Sequence, residues 1–346
     1  MRNNNILRTV CAILVVGLVV GAIAIGIWKL AGNRKSGEEV DVLATNFIGY
    51  DLARAVVGDT GVKVSMLLKP GAEMHDFEPT PEDIIKIREA DLFIYVGGES
   101  DEWVEELLDN NEIPEEKVLR LMDLVDVKEE ELVEGMEEEH EDEEGHEHAD
   151  EKHVDEEHAD EEEHERTDGE VEYDEHVWTS PVNAMKMVDG IREKLATIYP
   201  EKAEAFARNA EEYNARLMDI DRKIREVVAE GARKELIFGD RFPFRYFVDE
   251  YGLDYYAAFQ GCSEQTEASS QTIAYLIDKA KAEGVKVILK IELTSDKLAQ
   301  TIADEVGAKV LTLNAAHNIS QEDFEHGVTY AEIMEGNLEA LREALE

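Results

Sequence analysis

Imidazoles and carboxylates crowd into one stretch of this chain: from Glu137 to Glu165, six of 29 residues are His and 18 are Asp or Glu. Neutral imidazoles mixed with carboxylates are donors that divalent cations accept. A solvated acidic linker explains the charge but not the repeated histidines. Two further histidines flank the tract in short proline-containing motifs. His75 lies in Lys69-Pro70-Gly71-Ala72-Glu73-Met74-His75-Asp76-Phe77-Glu78-Pro79-Thr80-Pro81, where Pro70 and Pro79 stiffen the loop and limit the entropy lost on coordination. His176 lies in Tyr173-Asp174-Glu175-His176-Val177-Trp178-Thr179-Ser180-Pro181.

Composition narrows the partners. A formal charge of -46 repels nucleic-acid phosphates and anionic lipid head groups, so cations are the natural counterpart and no nucleic-acid partner is expected. Arg2 and Arg8 precede an apolar run from Val10 to Trp28, 19 residues and just long enough to cross a bilayer as a helix. That run reads as an uncleaved N-terminal anchor or a cleaved signal, and in both cases the remainder is exported. Cys11 and Cys262 are the only cysteines, too far apart in character for an intradomain disulfide, and Cys11 is misplaced for lipidation.

The elements that must position these histidines follow from the apolar pattern. Short β-type runs at Val42 to Thr45, Val62 to Leu68 and Leu92 to Val96 alternate with helical segments, which implies βαβ units and a parallel sheet. From about Lys128 to Glu172 apolar periodicity vanishes and a disordered loop is expected. After Pro181 the chain turns helical, and Ala203 to Ala229 continues without Gly or Pro, long enough to join two lobes. Strands Leu236 to Phe238, Tyr255 to Phe259, Val285 to Ile291 and Lys309 to Leu313 then alternate with helices in a second α/β lobe. The organisation expected is an N-terminal signal or anchor over 1–37, a first lobe over 38–180, connecting helices over 181–231 and a second lobe over 232–346.

The two histidine motifs, the His-rich stretch between them and the long helix after them resemble the metal-binding solute-binding proteins of bacterial zinc and manganese ABC transporters. Their signatures are P-G-x-x-P-H-x-[FYW]-x-P-[ST]-P-x-D and D-P-H-x-W-x-[SDN]-P, and the likeness spans about residues 38 to 346. Met74 and Glu175 stand where proline is usual. The resemblance implies two open α/β lobes with mostly parallel sheets, joined by a rigid backbone helix. It also implies an ion in the cleft between them, with His75 and His176 as first-lobe ligands. A His-Asp pair usual after the first strand of the second lobe is missing, because this chain has Phe238-Gly239-Asp240-Arg241.

Three residues at expected strand ends could complete the site: Asp240, Glu292 and His317, all facing one cleft if the strands are parallel. A carboxylate at a strand end also caps helices or pairs with Arg, and Arg241 and Arg245 stand near Asp240. His317 could equally be a loop or capping residue. Cys262 would be an excellent zinc ligand as a thiolate, but a buried inert thiol is the commoner fate. Phe242, Phe244, Tyr246, Phe247 and Tyr251 read as core.

The function these features point to is an extracellular, membrane-tethered monomeric receptor that captures Zn²⁺ and delivers it to an ABC permease. Mn²⁺ is the rival cargo if oxygen ligands replace the missing histidine. A surface adhesin or zinc buffer without transport is a further alternative. A zinc hydrolase is disfavoured, since neither H-E-x-x-H nor G-x-S-x-G occurs.

Overall fold

The computed structural model describes residues 41–72, 74, 77–110, 113–136, 172–263 and 268–346. The expected anchor segment and the core of the His-rich tract lie outside the described residues. So does His75.

The first lobe is a four-stranded parallel sheet. β1 (Val42–Ala44), β2 (Val64–Met66), β3 (Leu92–Tyr95) and β4 (Val118–Arg120) stand in the order β2-β1-β3-β4. Helices α1 (Phe47–Val57), α2 (Pro81–Glu89) and α3 (Glu102–Asp109) connect them. Local sequence sets the boundaries: Asn46 accepts the Gly49 amide at the start of α1, and Thr80 with Asp83 forms a reciprocal cap around Pro81 at the start of α2. All four residues of β3 are buried, as a strand covered on both faces requires.

Two helices follow, α4 (Pro181–Ile198) and α5 (Ala203–Glu230). α5 has 28 residues, about 42 Å of rod. Its buried residues Phe206, Ala210, Leu217, Ile220, Ile224 and Val227 recur at steps of three, four and seven, with Val228 beside the last, a single helical stripe. That stripe belongs to one hydrophobic cluster with Phe47 and Leu52 of the first lobe and Phe238, Phe247 and Met334 of the second.

The second lobe repeats the scheme with β5 (Glu235–Phe242), β6 (Asp254–Gln260), β7 (Val287–Lys290) and β8 (Lys309–Thr312), parallel and ordered β6-β5-β7-β8. Its helices are α6 (Arg245–Tyr251), α7 (Ser270–Glu283), α8 (Lys297–Val306), α9 (Gln321–His326) and α10 (Tyr330–Ala344). On one side the lobes are tied through a buried carboxylate. Asp51 of α1 accepts the Tyr213 hydroxyl at 2.9 Å and the Tyr330 amide at 2.8 Å, while Arg54 donates to the Gly327 and Val328 carbonyls. Two-lobed α/β architecture with a long joining helix is therefore present as the residue pattern predicts.

Two local features differ from expectation. β5 does not stop at Phe238 but continues to Phe242, with a register shift against β6 between Phe238 and Arg241. The stem of the acidic tract is ordered: Glu129 and Tyr173 form an antiparallel bridge, and Glu130 and Asp174 donate amides to Glu172 and Lys128 carbonyls at 2.9 Å. Side chains bolt this stem to the second lobe. Lys128 pairs with Asp249 at 2.6 Å, Arg245 with Glu131 at 3.3 Å, and the Tyr246 hydroxyl donates to the Asp174 carbonyl at 2.7 Å.

Candidate metal centre

Both sheets reverse direction of growth next to their first strand, between β1 and β3 and between β5 and β7. In open parallel sheets the crevice beyond the carboxyl ends at such a point is where ligands bind. The loops that leave those ends carry the candidate residues.

His176 is fully buried. Asp174 positions it twice, accepting the His176 backbone amide at 2.8 Å and facing Nδ1 at 3.2 Å with the same oxygen. The carboxylate holds the ring proton on Nδ1 and makes Nε2 the basic nitrogen, the pairing that orients histidines on metals. Glu175 reaches to the loop after β3, where it accepts the Ser100 amide at 3.0 Å and the Ser100 hydroxyl at 2.5 Å. Burial pushes the Glu175 carboxyl up to about 7. Burial would lower the His176 pKa, but Asp174, Glu175 and Glu130 outweigh it and hold the imidazole above its ordinary value. Glu130, on the ordered stem, is itself raised to about 7 by burial and by Asp174.

Trp178 locks this segment to the opposite lobe. Its indole nitrogen donates to the Ala315 carbonyl at 2.8 Å, and its own carbonyl accepts the Tyr330 hydroxyl at 2.6 Å. The loop it grips carries His317, only 5% exposed, whose ring meets that of His176 edge to face with centroids 5.1 Å apart. Two non-glycine residues with positive φ flank this part of the site, Leu293 at 56° and Ala316 at 54°. Such backbone is costly and persists where surrounding bonds over-determine it. Those bonds are present: the Glu292 carboxylate accepts the amides of Ala315 and His317 at 2.8 Å each, and Asn314 Oδ1 accepts that of Ala316 at 2.8 Å.

The structure therefore brings His176 and His317 together and ties Glu292 and Asp240 by hydrogen bonds into the loops beside them. Glu292 sits beneath the His317 loop with both oxygens on backbone amides. Asp240 accepts the Ile291 amide at 3.1 Å and the Thr294 hydroxyl at 2.5 Å, bracing the turn after β7, and also accepts the Arg241 amide at 2.9 Å. The loop of the first motif reaches the same place, since the Gly71 amide donates to the Ile319 carbonyl at 2.8 Å and Asn318 donates to the Ala72 carbonyl. A small opening of about 80 Å³ remains between Gly71, Ala72, Arg241, Glu292 and His317. Gly239, at the position of the missing histidine, is required by packing: a Cβ there would lie 2.5 Å from the Ala299 backbone of α8. Asp174, Glu130 and Trp178 were not among the sequence candidates. The Asp-x-His spacing of Asp174 and His176 was the one signal available for the first of these.

Residues 42–344 match the family model described as zinc-uptake complex component A, periplasmic (ZnuA). The chain belongs to this family. It is 35% identical over 312 residues to the high-affinity zinc uptake system protein ZnuA of Bacillus subtilis, covering 89% of this chain and 88% of that one. It is 32% identical over 312 residues to the zinc-binding lipoprotein AdcA of Streptococcus pneumoniae, covering 90% of this chain but 57% of the relative, so it spans little more than half of AdcA. The crystal structure of the Zn(II)-bound ZnuA-like domain of that AdcA superposes with a TM-score of 0.67 at 28% identity, covering 89% of this chain and 99% of the domain. ZnuA-family membership accounts for the paired sheets and the long helix.

Proposed function

We propose that this protein is an extracytoplasmic zinc receptor that holds one Zn²⁺ between its lobes and passes it to an ABC permease. The observation that carries this reading is the meeting of two buried imidazoles from different lobes, His176 and His317, at a ring distance of 5.1 Å. His75 is placed as a third ligand by its motif. Nitrogen ligands suit zinc, and the relatives named for zinc binding support the same cargo. Nothing is chemically transformed in this role: the cation is bound, carried and released. The apolar run Val10 to Trp28 tethers a monomer to the outer face of the membrane, and the acidic His tract gathers cations weakly, because flexible ligands lose entropy on binding.

Manganese is the second reading, favoured by the carboxylates of Asp174, Glu175 and Glu130 around His176. Titration of the full-length protein with Zn²⁺ and Mn²⁺ in competition separates the two. Zn²⁺ is expected to win the first equivalent, and its affinity should fall as pH is lowered. The sign follows from proton competition: the raised His176 pKa means that protonation begins above the ordinary value of about 6.5 and removes the lone pair zinc needs. Preference for Mn²⁺, or an affinity flat between pH 8 and pH 5, would overturn the histidine-zinc reading.

A further inference from the structure

A thiol, that of Cys262, stands beside His176. β6 ends at Gln260, and Gly261 and Cys262 follow it directly towards the His176 segment. The approach depends on glycine: a Cβ on Gly261 would lie 3.0 Å from His176 Cε1 and 3.1 Å from its Nδ1. With no side chain in the way, a Cys262 sulfur, a His176 ring nitrogen and a Glu175 carboxylate oxygen all lie within 4.8 Å of one another. Glu130 holds the turn in place by accepting the Cys262 backbone amide. These groups come from three separate segments of the chain.

We propose that Cys262 is a metal ligand, its thiolate binding the same cation as the His176 imidazole with the Glu175 carboxylate alongside. The inference rests on the zinc-receptor reading and specifies its ligand set. Cys262 is half-buried, and the carboxylates of Glu175, Glu130, Asp174 and Glu99 lie near enough to act on it electrostatically. The negative surroundings attract a cation. Donor atoms around a tetrahedral zinc ion are about 3.5 Å apart, given Zn–N near 2.1 Å and Zn–S near 2.3 Å. A contraction of about 1 Å brings the three atoms from their present spacing to that geometry. On binding, the S–H proton passes to solvent and a zinc–sulfur bond forms, with no change of oxidation state. A sulfur ligand also discriminates: it favours Zn²⁺ and disfavours Mn²⁺, which prefers oxygen.

Cobalt provides the test, because a Co²⁺–thiolate bond gives an intense near-ultraviolet charge-transfer band that oxygen and nitrogen ligands do not. Full-length protein with one equivalent of Co²⁺ is expected to show that band together with visible d–d absorption. Cys262→Ser should lose the charge-transfer band and keep the d–d bands, with Zn²⁺ affinity lowered by about tenfold or more and the preference for Zn²⁺ over Mn²⁺ reduced. Cobalt bound in the wild-type protein with d–d bands but no charge-transfer band would overturn the Cys262 assignment and leave the receptor intact. A charge-transfer band that survives in Cys262→Ser would do the same. No cobalt or zinc bound at stoichiometric concentration would overturn the receptor reading, and this inference with it.

Discussion

Replacing His176 by alanine is expected to weaken Zn²⁺ binding at the interlobe site by about a hundredfold or more. Removal of a residue that merely orients a metal ligand already costs about 10- to 100-fold, and this substitution removes the donor itself. It also leaves the carboxylates of Asp174 and Glu175, and that of Glu130, facing an empty space where an imidazole had been. His317→Ala should give a loss of the same order, because its ring meets that of His176. The exposed His326, which lies on α9, is the control, and His326→Ala should bind as the parent does. Competition with a chromophoric chelator reads the affinity, after circular dichroism has shown that the variants are folded. An unchanged affinity in His176→Ala would contradict the assignment.

Trp178→Ala should cause the largest loss of stability, about 3–5 kcal/mol out of a margin that is typically about 5–15 kcal/mol. Among the described residues Trp178 is the largest fully buried side chain, and its indole N–H is the bond that secures the Ala315 carbonyl of the His317 loop. Alanine creates a cavity and leaves that buried carbonyl unpaired. Trp178→Phe separates the two effects, since the ring refills most of the space and only the carbonyl is orphaned, at about 1–3 kcal/mol. Urea unfolding at unchanged slope measures both. A loss below about 1 kcal/mol for Trp178→Ala would show that this contact does not hold the lobes in register.

The sequence made the scaffold readable because its elements announce themselves locally. Apolar runs with turn residues between them predict each parallel strand of the second lobe, and α7 begins and ends at Ser270 and Glu283 as its pattern requires. The long helix was legible from the absence of Gly and Pro after Ala203. What stayed hidden depends on segments meeting across the chain. β5 runs on through Gly239-Asp240-Arg241 because Gly239 fits against Ala299 of α8, yet Gly-Asp-Arg-Phe-Pro reads locally as a loop. The stem at Lys128 to Met136 looked featureless because its partners Arg245, Tyr246 and Asp249 lie more than a hundred positions away.

The site divides in the same manner. His176 was singled out by its motif and His317 by its place after a strand, and their rings meet in the structure. Glu292 and Asp240 shared that strand-end placement, and only the structure shows their oxygens satisfied by backbone amides and the Thr294 hydroxyl. Cys262 has neighbours in sequence that say nothing about chemistry. Its surroundings are supplied by the segment around Glu175 and His176, more than eighty positions earlier in the chain.

The central claim is that one cation sits between the lobes on His176 and His317, and a crystal structure of the zinc-soaked protein with data collected at the zinc absorption edge tests it most directly. The account predicts a single strong anomalous peak about 2.0–2.1 Å from a ring nitrogen of each histidine. A peak found only elsewhere, with the two rings turned away from any ion, would contradict it.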